Sequence, residues 1–275
     1  MSSGPATSDR HITIRDLQEM KRRGAKIVVL TAYDAVFARI VDESQVDIVL
    51  VGDSVGQVVL GYDSTLPVTL EDMIHHGRAA RRGVHHALLV VDMPFLSFQV
   101  TPQETLRNAG RILKETGAEA VKLEGGDEEM ADHVHALVRA GIPVMGHIGL
   151  TPQSVHALGG YRVQGREEVD AERLQQEARR LADAGCFAIV LELMPAKLAG
   201  NITRVCSVPT IGIGAGPDVD GQVLVLYDML GLNESFRPKF LREFAALGRD
   251  ARAAITDYAN AVRAGEYPGP EHSFE

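Results

Sequence analysis

Short β-branched apolar runs recur along the chain, each followed by a break rich in Gly, Asp or Pro and then by a stretch with helical spacing. That alternation is the pattern of successive βαβ units. It predicts eight strands, at 26–31, 47–51, 87–91, 120–124, 143–147, 187–192, 209–213 and 222–227. Helical spacing fills 35–43, 70–82, 102–116, 128–140, 170–184 and 196–206, several of these opened by Thr, Asp or Pro and closed by Gly. Strands seven and eight lie too close in sequence for a full helix between them. Near-continuous apolar strands alternating with helices, with no compositional shift to mark a linker, predict a single (β/α)8 TIM barrel of the α/β class over 11–275. A doubly wound open sheet is the alternative. A long C-terminal helix is expected over 238–263, a loop over 267–275 and a disordered tail over 1–10.

Composition narrows the partners. A chain of 275 residues, 45% hydrophobic and 24% charged, can bury a large core. Its 28 Lys and Arg against 37 Asp and Glu leave a net charge of −9 without a basic run, which argues against nucleic acid. No apolar run reaches membrane-spanning length and the N-terminus lacks an apolar signal region, so no membrane partner and a cytoplasmic location are expected. Cys186 and Cys206 form no metal-binding or disulfide pattern and read as buried free thiols. The 27 glycines imply many tight turns or places where backbone approaches a ligand closely.

In a barrel the C-terminal strand ends face the active site, and here those ends are acidic. Strand two ends in Val51-Gly52-Asp53-Ser54 and strand three in Val90-Val91-Asp92; strand four reads Val121-Lys122-Leu123-Glu124, and strand six ends in Leu191-Glu192. Lys122 and Glu124, two apart, share a face of their strand. Asp53, Asp92 and Glu124 on neighbouring strands form an oxygen-only donor set that suits Mg²⁺ completed by water or substrate. With Lys122 and Ser54 beside them, the set fits an anionic chelating substrate such as an α-keto acid, whose enolate the metal stabilises. Helix capping by strand-end acids is the competing reading. Glu192 is expected across the barrel as a separate acid–base residue. His147, ending strand five, is expected to face the mouth. The doublets His75-His76, His85-His86 and His133/His135 place neighbours on different helix faces and read as structural. The run Gly212-Ile213-Gly214-Ala215-Gly216 looks like a phosphate cradle but lacks the GxGxxG spacing, so a tight turn is as good a reading.

Six segments carry a family resemblance: Thr31-Ala32-Tyr33-Asp34, Val51-Gly52-Asp53-Ser54-Val55-Gly56, Gly61-Tyr62-Asp63-Ser64-Thr65-Leu66-Pro67-Val68-Thr69, Val121-Lys122-Leu123-Glu124-Gly125-Gly126, Gly146-His147-Ile148-Gly149-Leu150-Thr151-Pro152-Gln153-Ser154 and Gly212-Ile213-Gly214-Ala215-Gly216. Together they resemble the ketopantoate hydroxymethyltransferase family, from about His11 to Glu271-His272-Ser273-Phe274. The resemblance implies a barrel that transfers a one-carbon unit from 5,10-methylenetetrahydrofolate to 3-methyl-2-oxobutanoate, giving 2-dehydropantoate on the way to pantothenate and coenzyme A. It implies Mg²⁺ at Asp53, Asp92 and Glu124, the keto acid at Asp53, Ser54, Asp92 and Lys122, and Glu192 as proton acceptor. It also implies a homo-oligomer, commonly a decamer. The runner-up is a Mg²⁺-dependent lyase or mutase of the phosphoenolpyruvate mutase and isocitrate lyase type, for which no reactive Cys stands in a mouth loop. A non-catalytic metabolite-binding barrel is a third reading, but it would be expected to lose a charged strand end.

Overall fold

The computed structural model describes residues 10–234 and 236–274, so the tail expected over 1–10 lies outside the described residues except for Arg10. Eight strands run parallel: β1 (Ile27–Thr31), β2 (Ile48–Val51), β3 (Leu88–Asp92), β4 (Ala120–Glu124), β5 (Val144–Gly149), β6 (Ala188–Glu192), β7 (Thr210–Ile213) and β8 (Gly221–Leu224). They pair in chain order, and β8 closes onto β1. The result is a TIM barrel; an open doubly wound sheet would leave two edges. Around it lie α1 (Ile14–Arg23), α2 (Ala35–Glu43), α3 (Val55–Val58), α4 (Leu70–Arg81), α5 (Pro102–Thr116), α6 (Glu128–Arg139), α7 (Glu168–Ala184) and α8 (Ala196–Val205).

Local chemistry sets the helix ends. Asp34 accepts from the backbone N–H groups of Val36 and Phe37 at 2.8 and 2.9 Å and starts α2. Thr69 and Asp72 form a capping box at α4. Thr101 and Pro102 start α5, and Gly117, in the left-handed region at φ 76°, ends it.

Inward-facing residues two apart fill the barrel. Ile27 and Val29, Ile48 and Leu50, Leu88 and Val90, Met145, Ala188 and Val190, Ile211 and Val223 form one buried cluster. Each fully buried aliphatic side chain there contributes roughly 1.5–3 kcal/mol. Leu17 of α1 joins the same cluster, with Ile12, Ile14 and Met20 packed against it. Helix α1 was not expected from the sequence, and it closes the end of the barrel where the strands begin. Lys21 ties it to Asp220 at 2.6 Å, just before β8, and Ile12 N–H donates to the carbonyl of His86 at 2.7 Å, just before β3.

A second compact unit begins at Val225 and contains α9 (Leu226–Met229) and α10 (Leu247–Ala264). Two expectations are corrected here. Strand eight stops at Leu224, because the Val225 carbonyl accepts from the N–H groups of Asp228 and Met229 and turns the chain into α9. The expected helix over 238–263 starts only at Leu247. Upstream of it, the N–H of Phe244 donates to Met229 and that of Leu247 to Leu230, diverting to α9 donors that a longer helix would use internally. Among the described residues no helix is long and apolar enough to cross a membrane.

Candidate active site

Parallel pairing decides which side chains share a face. Asp92 pairs with Lys122, Glu124 with His147, and Gly149 with Glu192. Two residues earlier on these strands stand Val90, Ala120, Met145 and Val190, all members of the barrel core. Asp92, Lys122, Glu124, His147 and Glu192 are therefore the next inward layer, at the C-terminal mouth. Lys122 and Glu124 share this face, and Leu123 points the other way. Asp53 and Ser54 follow β2 directly and lead into α3.

The layer is tightly wired. Lys122 Nζ lies 2.5 Å from Asp92 Oδ1, and the N–H of Asp53 donates to Asp92 Oδ2 at 3.0 Å. His147 lies between two acids, with Nδ1 3.5 Å from Glu124 Oε1 and Nε2 3.2 Å from Glu192 Oε2. Glu192 thus does not stand apart across the barrel: one imidazole joins it to Glu124. Ser54 Oγ lies 2.8 Å from the phenol oxygen of Tyr33.

Burial and charge compete here. Burial, with the charges of Asp92 and Glu124, holds the Asp53 carboxyl well above the usual range despite Lys122 and a hydrogen bond from Gln153. Asp92 is raised by burial, which the Lys122 charge only partly offsets. Burial opposes a charged Lys122, but Asp92, Glu124 and Asp53 outweigh it and hold the ammonium protonated. For His147, burial and Lys122 disfavour the cation, yet Glu124 and Glu192 prevail and raise it to about 9. Burial also disfavours the Glu124 anion, but His147, Lys122 and the N–H of Gln153 together leave its pKa lowered.

Gln153, buried just after β5, stands in one of the six family segments but receives no role from the sequence, because no periodicity marks what a turn residue reaches. Its amide donates to Asp53 Oδ2 at 2.8 Å and to the Met93 carbonyl at 2.9 Å, and its backbone N–H donates to Glu124 Oε2 at 3.0 Å. Two glycines make room. A Cβ on Gly52 would stand 2.7 Å from Ser54 Oγ, and Gly149, at φ 98°, lies against the Glu192 carbonyl.

Two other histidines are bonded to backbone away from this layer. His133 is buried, its Nδ1 2.7 Å from the Phe98 carbonyl and 2.9 Å from Thr105 Oγ1. His76 donates to the Tyr33 carbonyl at 2.7 Å. The glycine run after β7 is a tight turn, with Gly214 and Gly216 at φ 62° and 82°. Cys186 stands just before β6 and Cys206 caps the end of α8 ahead of β7, both at the end of the barrel away from the mouth. Burial, with Cys206 nearby, pushes the Cys186 thiol up to about 12.

Among the described residues no three His, Cys, Asp or Glu side chains close around one point. Lys122 holds Asp92, Gln153 holds Asp53, and His147 faces Glu124. The donor chemistry nevertheless fits a hard divalent cation. It offers carboxylate oxygens and no thiolate. When ionised, Asp53, Asp92, Glu124 and Glu192 exceed Lys122 and His147 by two charges, the charge of one Mg²⁺.

A closed parallel barrel with buried carboxylates, a lysine and a histidine at its C-terminal mouth defines a TIM-barrel enzyme. Residues 11–270 match the family model described as ketopantoate hydroxymethyltransferase. The chain is 56% identical over 265 residues to the 3-methyl-2-oxobutanoate hydroxymethyltransferase of Heliobacterium modesticaldum, covering 96% of each. It is 55% identical over 262 residues to that of Syntrophotalea carbinolica, covering 95% of this chain and 98% of the relative. The chain belongs to the ketopantoate hydroxymethyltransferase family. Among solved structures, phosphonopyruvate hydrolase in complex with oxalate and Mg++ superposes at a TM-score of 0.61 with 13% identity, over 95% of this chain and 93% of that one, which shows the shared fold.

Proposed function

We propose that this enzyme transfers the one-carbon unit of 5,10-methylenetetrahydrofolate to 3-methyl-2-oxobutanoate as a hydroxymethyl group, giving 2-dehydropantoate for pantothenate and coenzyme A synthesis, with the mouth layer of the barrel as its active site. The carrying observation is the shared inward face of Asp92, Lys122, Glu124, His147 and Glu192 above an apolar core. Asp53, Asp92 and Glu124 would hold Mg²⁺. When bound, that ion supplies a Lewis acid that acidifies the C–H next to the keto group.

Lys122 and Ser54 bind the keto acid, the ammonium against its negative charge and the hydroxyl oriented by Tyr33. Glu192 accepts the C3 proton. His147, protonated at neutral pH, holds the Glu192 carboxylate in place from one side. The C3 carbon then bonds to the one-carbon unit of the folate; the two C–N bonds holding that carbon break, water supplies the hydroxyl, and tetrahydrofolate leaves with one proton returned from Glu192 and one from the water on its two nitrogens. The lyase and mutase reading is weaker because both thiols are buried at the far end of the barrel.

The same reading extends to assembly and location. The enzyme works as a homo-oligomer, a decamer, in the cytoplasm; the apolar residues Ile255, Tyr258 and Val262, exposed on α10, support association, and two free thiols suit a reducing compartment. One assay tests the activity: keto acid and methylenetetrahydrofolate are incubated with and without Mg²⁺ and followed for ketopantoate. Formation only with Mg²⁺ supports the reading, and formation unchanged by exhaustive chelation overturns the role of the metal.

A further inference from the structure

Each of the three acids proposed to hold Mg²⁺ has one oxygen anchored by an N–H donor. Asp92 Oδ2 accepts from the Asp53 backbone, Glu124 Oε2 from the Gln153 backbone, and Asp53 Oδ2 from the Gln153 side chain. Gln153 therefore serves two of the three, acids on β4 and just after β2, from a loop that follows β5.

The direction of its amide is forced. The Met93 carbonyl only accepts, and so does an ionised Asp53, so the NH₂ group must face both and the carbonyl must face away. That outward Oε1 accepts from Gln99 Nε2 at 2.9 Å, and Gln99 Oε1 faces the backbone N–H of Phe98 at 3.4 Å. A one-way chain of donors thus runs from the loop after β3, through two glutamines, to Asp53. Such chains polarise one another in a buried setting.

We propose that Gln153 is a positioning residue for the divalent cation: its amide turns Asp53 so that the remaining oxygen serves the ion, its backbone N–H holds Glu124 beside it, and Gln99 fixes which way the amide points. The inference rests on the metal reading above. Asp53 Oδ1 makes no hydrogen bond among the described residues, so the chain leaves that oxygen for the cation. Outer partners of this kind typically change metal affinity by 10–100-fold.

The test is titration of the metal-stripped full-length enzyme with Mn²⁺, followed by electron paramagnetic resonance. Gln153→Met keeps the size of the side chain, removes the amide donors to Asp53 and Met93 and leaves the backbone N–H to Glu124; it should weaken Mn²⁺ binding about 10- to 100-fold. Gln99→Met should weaken it by a smaller factor, and the half-saturating Mg²⁺ for turnover should rise in step in both variants. A purely structural role would lower the melting temperature of the stripped protein and leave Mn²⁺ affinity in place, and affinities within twofold of the parent in both variants overturn the proposal. Should Gln153→Met not fold, Gln99→Met decides alone. Asp53→Asn separates the two ideas: Mn²⁺ binding that is lost there but unchanged in the glutamine variants defeats this inference and spares the metal reading. Absence of Mn²⁺ binding in the parent enzyme defeats both.

Discussion

His147 Nε2 lies 3.2 Å from Glu192 Oε2, an ion pair buried between β5 and β6 at the barrel mouth. The Glu124 carboxylate flanks the same ring at 3.5 Å, and the two acids together raise its pKa from 6.5 to about 9 against burial and Lys122. A group whose pKa is higher in the folded than in the unfolded state contributes stability that is fully present below the unfolded value and is lost as pH rises through the folded one. The parent enzyme should therefore lose stability, and with it melting temperature, between about pH 6.5 and 9, by a free energy on the order of 3 kcal/mol. His147→Gln should flatten that part of the profile. Parallel thermal melts from pH 6 to 10 check it, and identical slopes would remove the ion pair from the account.

Glu124→Ala should abolish Mg²⁺-dependent exchange of the C3 proton of 3-methyl-2-oxobutanoate with deuterated solvent. The exchange needs no folate, so proton NMR isolates enolisation from transfer. Unchanged exchange would take Glu124 out of the metal site.

Glu192→Gln keeps the shape of the side chain and removes its basicity. It should bind the keto acid within a few-fold of the parent and turn over at least about 100-fold more slowly, the low end of what a positioned base contributes. Calorimetric binding together with steady-state kcat measures the two separately. Normal turnover would reassign the proton acceptor.

Leu17→Ala should destabilise the enzyme by roughly 2–5 kcal/mol, the range for truncating a fully buried leucine, since Leu17 is 0% exposed within the barrel core. Urea denaturation at fixed protein concentration reads the loss. With α1 at the opposite end of the barrel, KM for the keto acid should stay unchanged.

Some elements could be read to the residue. The predicted bounds of α2, α5 and β4 coincide with the observed ones, because Asp34, Thr101, Pro102 and Gly117 act on their own neighbours and need no distant partner. Helix α1 was not legible: it is mostly polar, and the burial of Leu17 depends on a barrel floor assembled from eight distant strands. The C-terminal helix was overextended for a related reason, since its apolar spacing persists upstream while Phe244 and Leu247 bond to α9.

The acidic strand ends and the shared face of Lys122 and Glu124 follow from alternation along a strand, a local rule that sequence carries in full. Closure of β8 onto β1, the placing of His147 between Glu124 and Glu192, and the reach of Gln153 to both Asp53 and Glu124 follow from strand register and loop approach. These bring together residues 100 positions apart, as Gln153 is from Asp53, and further still where Ile27 of β1 pairs with Gly221 of β8, and no short-range pattern encodes such a meeting. The sequence by itself determined the barrel's alternation and its inventory of charges; the tertiary structure decided which charges face one another, because burial at a common mouth sets their distances and their protonation.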